Sequence, residues 1–431
     1  MSVLWAKDGV DIDAEIQAFL AGEDVLHDRE LLAYDVRATR AHVRGLANIG
    51  VFTKQEVSRL DGALDRLEER WRSGEFVLDA RFEDMHSAIE FALTEELGEL
   101  GRKVHTGRSR NDQVLVATRL YLKDALDVAK ERCVAIAEGA LKRAEADADV
   151  AMPGYTHLQR AVPSSLGMWF ACWVESFIDN AVLLTQARDL IDANPLGTAA
   201  GYGVNVALDR AYTTQELGFG RLQINPIYAQ NTRGKFSLHV LHALGQAMLD
   251  VRRLSWDLSL FTTAEFAFVR LPARYTTGSS IMPNKKNPDV VELLRAACAV
   301  VSGARSELEH VLALPSGYHR DLQGTKGPML RGVKHALASL ALVPGVLDAL
   351  EFDEGVMLEA IGPHLHATDR AVELALEGVP FRDAYRRVGD SLGDLAHREA
   401  SASLGARTSP GAAADLMLDV LSERLAAARA R

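Results

Sequence analysis

Proline is missing from the first 152 residues of this 431-residue chain, and only 13 occur in all. Proline breaks helix interiors, so its absence leaves long helices open. The intervals 164–194, 227–271 and 289–314 are also free of it. Cysteine is scarce. Cys133, Cys172 and Cys298 are odd in number and far apart, each in an apolar helical stretch. They read as free buried thiols of a reducing cytoplasm, not as disulfides or metal ligands. Net positive charge is lacking too: 48 Lys and Arg against 59 Asp and Glu leave −11, with a pI near 5.7. That excludes a general nucleic-acid surface, so an anionic ligand needs a local cationic pocket. No uncharged apolar run is long enough to span a bilayer. The acidic, charge-broken N-terminus "MSVLWAKDGVDIDAEIQ" is neither a signal nor a transit peptide. His239 with His242, and His364 with His366, lack the wider ligand pattern of a zinc site. No Gly-x-Gly-x-x-Gly unit follows an expected strand, and no Gly-x-Ser-x-Gly elbow is present.

What the chain has is helical periodicity. Leu166, Phe170, Trp173, Phe177, Ala181 and Leu184 recur at helical spacing, as do Val290, Leu294, Ala297, Val301, Ala304, Leu308 and Val311. Trp169, Val174 and Ile178 add further apolar faces to the first of these, which is the mark of a helix surrounded by helices. Long helices are expected in 111–151, 160–193, 233–270, 288–313 and 325–350. Forty residues make a rod of about 60 Å. Such rods suit a long bundle that buries its flanks against copies of itself. The fold class is all-α. A helical N-terminal domain (1–108), a central long-helix bundle (109–354) and a helical C-terminal domain (355–431) are expected. The tail "ERLAAARAR" reads as a fraying helix.

Polar clusters sit at the breaks between these helices: "EDMHSAIE", "GRKVHTGRSRNDQV", "MPGYTHLQRAVP", "TTGSSIMPNKKNPDVVE" and "LPSGYHRDLQGTK". Helix ends expose unpaired N–H groups and partial positive charge, which suit carboxylates. In "HTGRSRNDQV", Ser109 or Asn111 can simply cap a helix, or Arg108 and Arg110 can clamp a carboxylate. His157 is open to a structural role or to acid/base work. The Gly278–Asn287 stretch lacks phosphate-loop spacing. It is either a mobile surface loop or a set of hydroxyls, charge and amide suited to an oxyanion formed during reaction.

Taken together, "GSSIMPNKKNP", "HTGRSRNDQV", "PGYTHLQRAVP" and "EDMHS" resemble the fumarase/aspartase superfamily, and within it the argininosuccinate lyase family. The resemblance spans nearly the whole chain in order and spacing. It implies β-elimination of argininosuccinate to arginine and fumarate with no metal or organic cofactor. It also implies a homotetramer with a twenty-helix core and active sites shared between subunits. By family match Ser279 is the general base, and Lys285 and Asn287 hold the enediolate-like dianion. His157, paired with Glu292, serves the leaving nitrogen through water. Chemistry alone favours His157 as the base, because an unassisted serine is a poor one. Thr156, Ser109 and Asn111 match carboxylate contacts; Asp84, Arg110, Arg233, Tyr318, Gln323 and Lys326 match other substrate contacts. The chain departs from the usual pattern in four places. "NPLGTAAGYGVNVALDR" replaces a Gly-Ala-Leu-Ala-Gly run, and "YAQNTRGKF" keeps only Arg233 of a Ser-Asp-Arg-Asp segment. Gly324 and Thr325 stand for Glu-Asp, and Asp24 stands where a substrate-binding serine is expected. Two alternatives remain at this stage: a lyase for a related N-substituted aspartate or modified argininosuccinate, and an inactive structural homologue.

Overall fold

The computed structural model describes residues 14–79 and 81–431. Most of the N-terminal stretch judged above for targeting signals therefore lies outside the described residues. The principal helices are α1 (Leu32–Asn48), α2 (Lys54–Arg72), α3 (Met85–Leu97), α4 (Arg110–Ala146), α5 (Leu166–Ile191), α6 (Lys235–Phe261), α7 (Asp289–Val311), α8 (Lys326–Asp348) and α9 (Leu418–Ala430). Strands are few. β1 (Ala151–Thr156) and β2 (Gln159–Ser165) form an antiparallel hairpin, and two further two-stranded pairings are only two residues long. The fold is mostly helical, as the proline pattern requires.

The chain divides into two compact units. The first takes the chain up to Val128, then Leu184–Leu244 and Val300–His335. Its helices start where the local chemistry caps them. Thr53 and Glu56 form a capping box at α2, and Asp84 and Ser87 form one at α3. One core cluster packs Ala38 and Ala41 of α1 against Val116 and Leu120 of α4, with Leu196, Leu217 and Phe219 completing it. Burying such side chains contributes about 1.5–3 kcal/mol each for the larger ones.

The second unit takes Ala129–Leu183, Gly245–Ala299 and Ala336–Arg431. Arg143 of α4 donates from Nη1 to the carbonyls of Leu347 and Leu350 at 3.1 Å, satisfying acceptors that the end of α8 leaves open. An aromatic cluster joins Trp169 and Phe170 to Phe261, Phe266, Phe268 and Phe352. Tyr155 of β1 packs its ring 5.4 Å from that of Phe266, which seats the hairpin on this cluster.

Several expectations need correction. The helix expected from 160 begins at Leu166, because 159–165 is strand β2; Pro163 pairs with Pro153 across the hairpin, and Ser165 Oγ then accepts the N–H of Met168 at 3.1 Å to start α5. The helix expected to 270 stops at Phe261. There the Thr262 and Thr263 hydroxyls donate to carbonyls of the last turn, and Ala267 takes a left-handed φ of 51°. The tail does not fray: α9 buries Leu421, Leu425 and Ala428, Arg424 pairs with Glu175 and Asp179 of α5, and Arg429 pairs with Glu138 of α4. Cys133 and Cys298 are buried as expected, but Cys172 is exposed. The stretch Arg320–Asp348 is long and apolar enough to cross a membrane, yet half of its most apolar window is buried inside the protein, as for a core helix.

Candidate functional site

A cavity of about 600 Å³ opens in the first unit. Eight of the substrate-contact residues expected from the sequence line it: Asp84, Ser109, Arg110, Asn111, Arg233, Tyr318, Gln323 and Lys326. Ser109 and Asn111 reach it from the start of α4. Ser109 Oγ accepts the Asn111 N–H at 3.3 Å, and Ser109 N–H donates to Asp112 Oδ1 at 2.9 Å. Asp112 is fully buried. It also accepts N–H bonds from Gly197 at 2.9 Å and Ala199 at 3.0 Å, so one carboxylate ties the Ser109 turn to the divergent 195–203 loop. Burial pushes its pKa up, against the pull of those N–H dipoles and of Arg108.

Arg110 Nη1 lies 2.8 Å from Glu83 Oε2 and 3.2 Å from Asp84 Oδ2. Asp84 has a second job: its carboxylate accepts the Ser87 N–H and caps α3. Arg108 is buried and donates to Thr39 Oγ1 at 2.8 Å. His86, also lining the cavity, meets Asp35 at 2.7 Å through Nδ1. Burial disfavours its imidazolium, but Asp35, Asp84 and Asp28 outweigh that and raise its pKa. His105 goes the other way: burial, then Arg108, His86 and Arg110, hold it down to about 4.

Lys326 Nζ is held by Asp28 Oδ1 at 2.5 Å and Asp24 Oδ1 at 3.1 Å. The Arg233 guanidinium stacks over the Tyr318 ring at 5.4 Å. Gln323 and Arg320 both donate to the carbonyl of Leu20, which ties the 320–325 turn to the segment carrying Asp24.

The remaining expected site residues belong to the second unit. Thr156 ends β1, and His157 with Leu158 forms the two-residue turn of the hairpin, both in the left-handed region at φ 55° and 57°. Ser279, Lys285 and Asn287 lie on a loop closed by paired backbone bonds between Thr277 and Asn287. Ser279 Oγ accepts the N–H groups of Ile281 at 3.3 Å and Met282 at 3.1 Å. Asn287 donates weakly to Gly278 O at 3.4 Å. Glu292, in the first turn of α7, lies 3.8 Å from Arg295. Among the described residues no hydrogen bond or ion pair joins His157 to Glu292 or Ser279.

Sequence reasoning missed Asp35, Glu90, His105, Asp112 and Arg320. The motif "EDMHS" contains His86 but assigns it no role by itself. That motif and "RSRND" were the available signals for His86 and Asp112; the partners Asp35 and Gly197 are too distant in sequence to be read.

A family model described as "Lyase" matches residues 17–303. The argininosuccinate lyase of Xanthomonas campestris pv. campestris (strain B100) is 59% identical over 426 residues, covering 98% of both chains. That of Xylella fastidiosa (strain 9a5c) is 58% identical over 424 residues, covering 98% of this chain and 95% of its own. Among solved structures, an EDDS lyase in complex with formate superposes with a TM-score of 0.80 at 22% identity, covering 98% of this chain and 92% of its own. A class II fumarase from Schistosoma mansoni does so at 0.71 and 14%, covering 90% and 96%. The last two likenesses show a shared fold.

Proposed function

The chain belongs to the lyase family, and within it to the argininosuccinate lyases, and from that premise we propose that it cleaves argininosuccinate to arginine and fumarate in arginine biosynthesis. The observation that carries this reading is the cavity that gathers Ser109, Arg110 and Asn111 with Tyr318, Gln323 and Lys326. It offers donors for the dicarboxylate portion and a mixed-charge end for an amino acid.

Ser279 removes the proton from the carbon beside a carboxylate. Charge moves onto that carboxylate, where Lys285 and Asn287 hold it. The C–N bond then breaks, fumarate forms, and the leaving nitrogen takes a proton delivered through His157 and Glu292. One proton leaves carbon and one reaches nitrogen, so the reaction balances by proton transfer alone, without metal or organic cofactor. A serine is a weak base. The two N–H groups that Ser279 Oγ accepts would stabilise its deprotonated form, which supports that role.

The proposal includes a cytoplasmic homotetramer with active sites shared between chains, and the 1–108, 109–354 and 355–431 division. Support for assembly comes from large apolar side chains left exposed on the long helices: Met168, Trp256, Leu293 and Leu342 are 39–69% exposed.

The test is fumarate absorbance on adding argininosuccinate, with adenylosuccinate and aspartate as controls. Fumarate from argininosuccinate alone is expected. Ser279→Ala should lower kcat roughly 100- to 10,000-fold with substrate binding kept. A folded protein that acts only on another N-substituted aspartate overturns the substrate assignment, and near-wild-type kcat in Ser279→Ala returns the base to His157.

A further inference from the structure

Ser109 directly precedes Arg110, the first residue of α4, and Asp112 is the third residue of that helix. Asp112 Oδ1 accepts the Ser109 N–H at 2.9 Å, which is the ordinary work of a carboxylate at that position. Capping needs one oxygen and no burial. Asp112 is fully buried, and its Oδ2 accepts the N–H groups of Gly197 at 2.9 Å and Ala199 at 3.0 Å, 85 and 87 positions along the chain. The loop it holds is strained. Ala199 has a φ of 51°, in the left-handed region where a Cβ is crowded, and Gly197 one of 86°. Such a conformation persists only where its surroundings fix it.

Here both sides of the Ala199 residue are tied. Its N–H goes to Asp112, and its carbonyl accepts Gln230 Nε2 at 3.1 Å. Gln230 is buried on the short helix Pro226–Asn231, and the next side chain, Asn231, accepts the Gly317 N–H at 2.8 Å, one residue before Tyr318. A run of bonds thus leads from the turn that carries Ser109 to the segment that carries Tyr318, and both residues line the cavity. A contact to a substrate needs such bracing, because a displacement of about 1 Å can cost roughly 100-fold in rate. We propose that Asp112 is a positioning residue for the reaction: by holding the start of α4 against the 195–203 loop, it sets where the Ser109 hydroxyl meets the substrate's carboxylate. This rests on the lyase reading above and adds to it. Asparagine cannot replace it. An amide has one acceptor oxygen in place of two, so it must turn an N–H toward Ser109 or toward the loop.

The experiment is a double-mutant cycle on argininosuccinate, reading fumarate: wild type, Asp112→Asn, Ser109→Ala and the two together. Asp112→Asn should lower kcat/KM roughly 10- to 100-fold, mainly through KM. In Ser109→Ala the hydroxyl that Asp112 positions is gone, so adding Asp112→Asn should cost at least about fivefold less than it does in wild type. Losses that simply multiply would make Asp112 a plain structural residue and overturn the proposal, as would an unchanged KM in Asp112→Asn. If Asp112→Asn does not fold by circular dichroism, Gln230→Leu takes its place in the cycle. That variant loses the bond to Ala199, but Gln230 Oε1 has no partner in the protein, so an apolar side chain of similar size costs little there. Coupling of Gln230→Leu to Ser109→Ala upholds the role, and multiplying losses overturn it. If wild type releases no fumarate, the lyase reading fails, and calorimetric binding of succinate judges Asp112 by the same cycle. Coupled losses of affinity then uphold the role; independent losses, or no binding by wild type, overturn it.

Discussion

His105 and His86 line one cavity and are driven apart. His105 is held down to about 4 by burial first and then by Arg108, His86 and Arg110, whereas carboxylates overcome burial at His86 and raise it. The signs follow from linkage. Between pH ~6.5 and ~4 the unfolded chain takes a proton at His105 that the folded chain refuses, so this residue costs stability as pH falls through that window. For His86 the contribution is full below the unfolded value near 6.5 and is lost as pH rises through the raised folded value. Denaturant unfolding of wild type and His105→Gln should therefore diverge in the variant's favour as pH drops from ~6.5 to ~4 and run parallel above pH ~7.5. A constant gap across that range would mean that His105 is protonated in the folded state. Neither shift could be read in the sequence. Its "HTGR" and "EDMHS" show the histidines, but Asp35, which sets His86, lies 51 positions away. Ser109, Arg110 and Asn111 are legible because a helix start and its donors are local; of the bonds Asp112 accepts, only that from Ser109 is local, and those from residues 197 and 199 are not.

The β1–β2 hairpin is the element that sequence periodicity did not reveal. Seven residues of β2 and two prolines give too short and too interrupted a pattern to compete with the helix signal that follows. The five long helices were legible because their apolar repeats run for many turns; their ends were less so, since hydroxyl competition and strand pairing decide them. Two positive φ values across a two-residue loop are what a type I′ turn requires, and Asn-Gly is the pair that adopts it at least cost. His157 and Leu158 are instead held there, and Leu158 is 69% exposed. Strain of this kind clusters at functional sites. Leu158→Gly should raise stability by about 1 kcal/mol in denaturant unfolding, because the left-handed cost of a Cβ disappears. No gain would mean that contacts of the leucine side chain already offset the strain.

At the scale of the molecule, the proposed catalytic residues and the cavity residues belong to different compact units, and the proposed tetramer lets one chain complete another's site. Inactive His157→Asn and Ser279→Ala tetramers, dissociated, mixed and reassembled, should then regain activity. With random exchange in equal amounts roughly a quarter of sites receive both intact residues. Sites built from His157 and Ser279 of the same chain would regain none, and persistent inactivity in mixed tetramers confirmed by mass would leave the bundle as scaffold.

Both compact units are stitched from three separated stretches of chain. During synthesis this order matters. When residue 299 leaves the ribosome, neither unit has all its parts; the first is complete only once His335 has emerged, and the second needs the C-terminal stretch beyond it. Folding of an N-terminal stretch while the rest is being made completes neither unit. Its long apolar helices are therefore made before their closing partners, which leaves apolar surface uncovered until translation is nearly over.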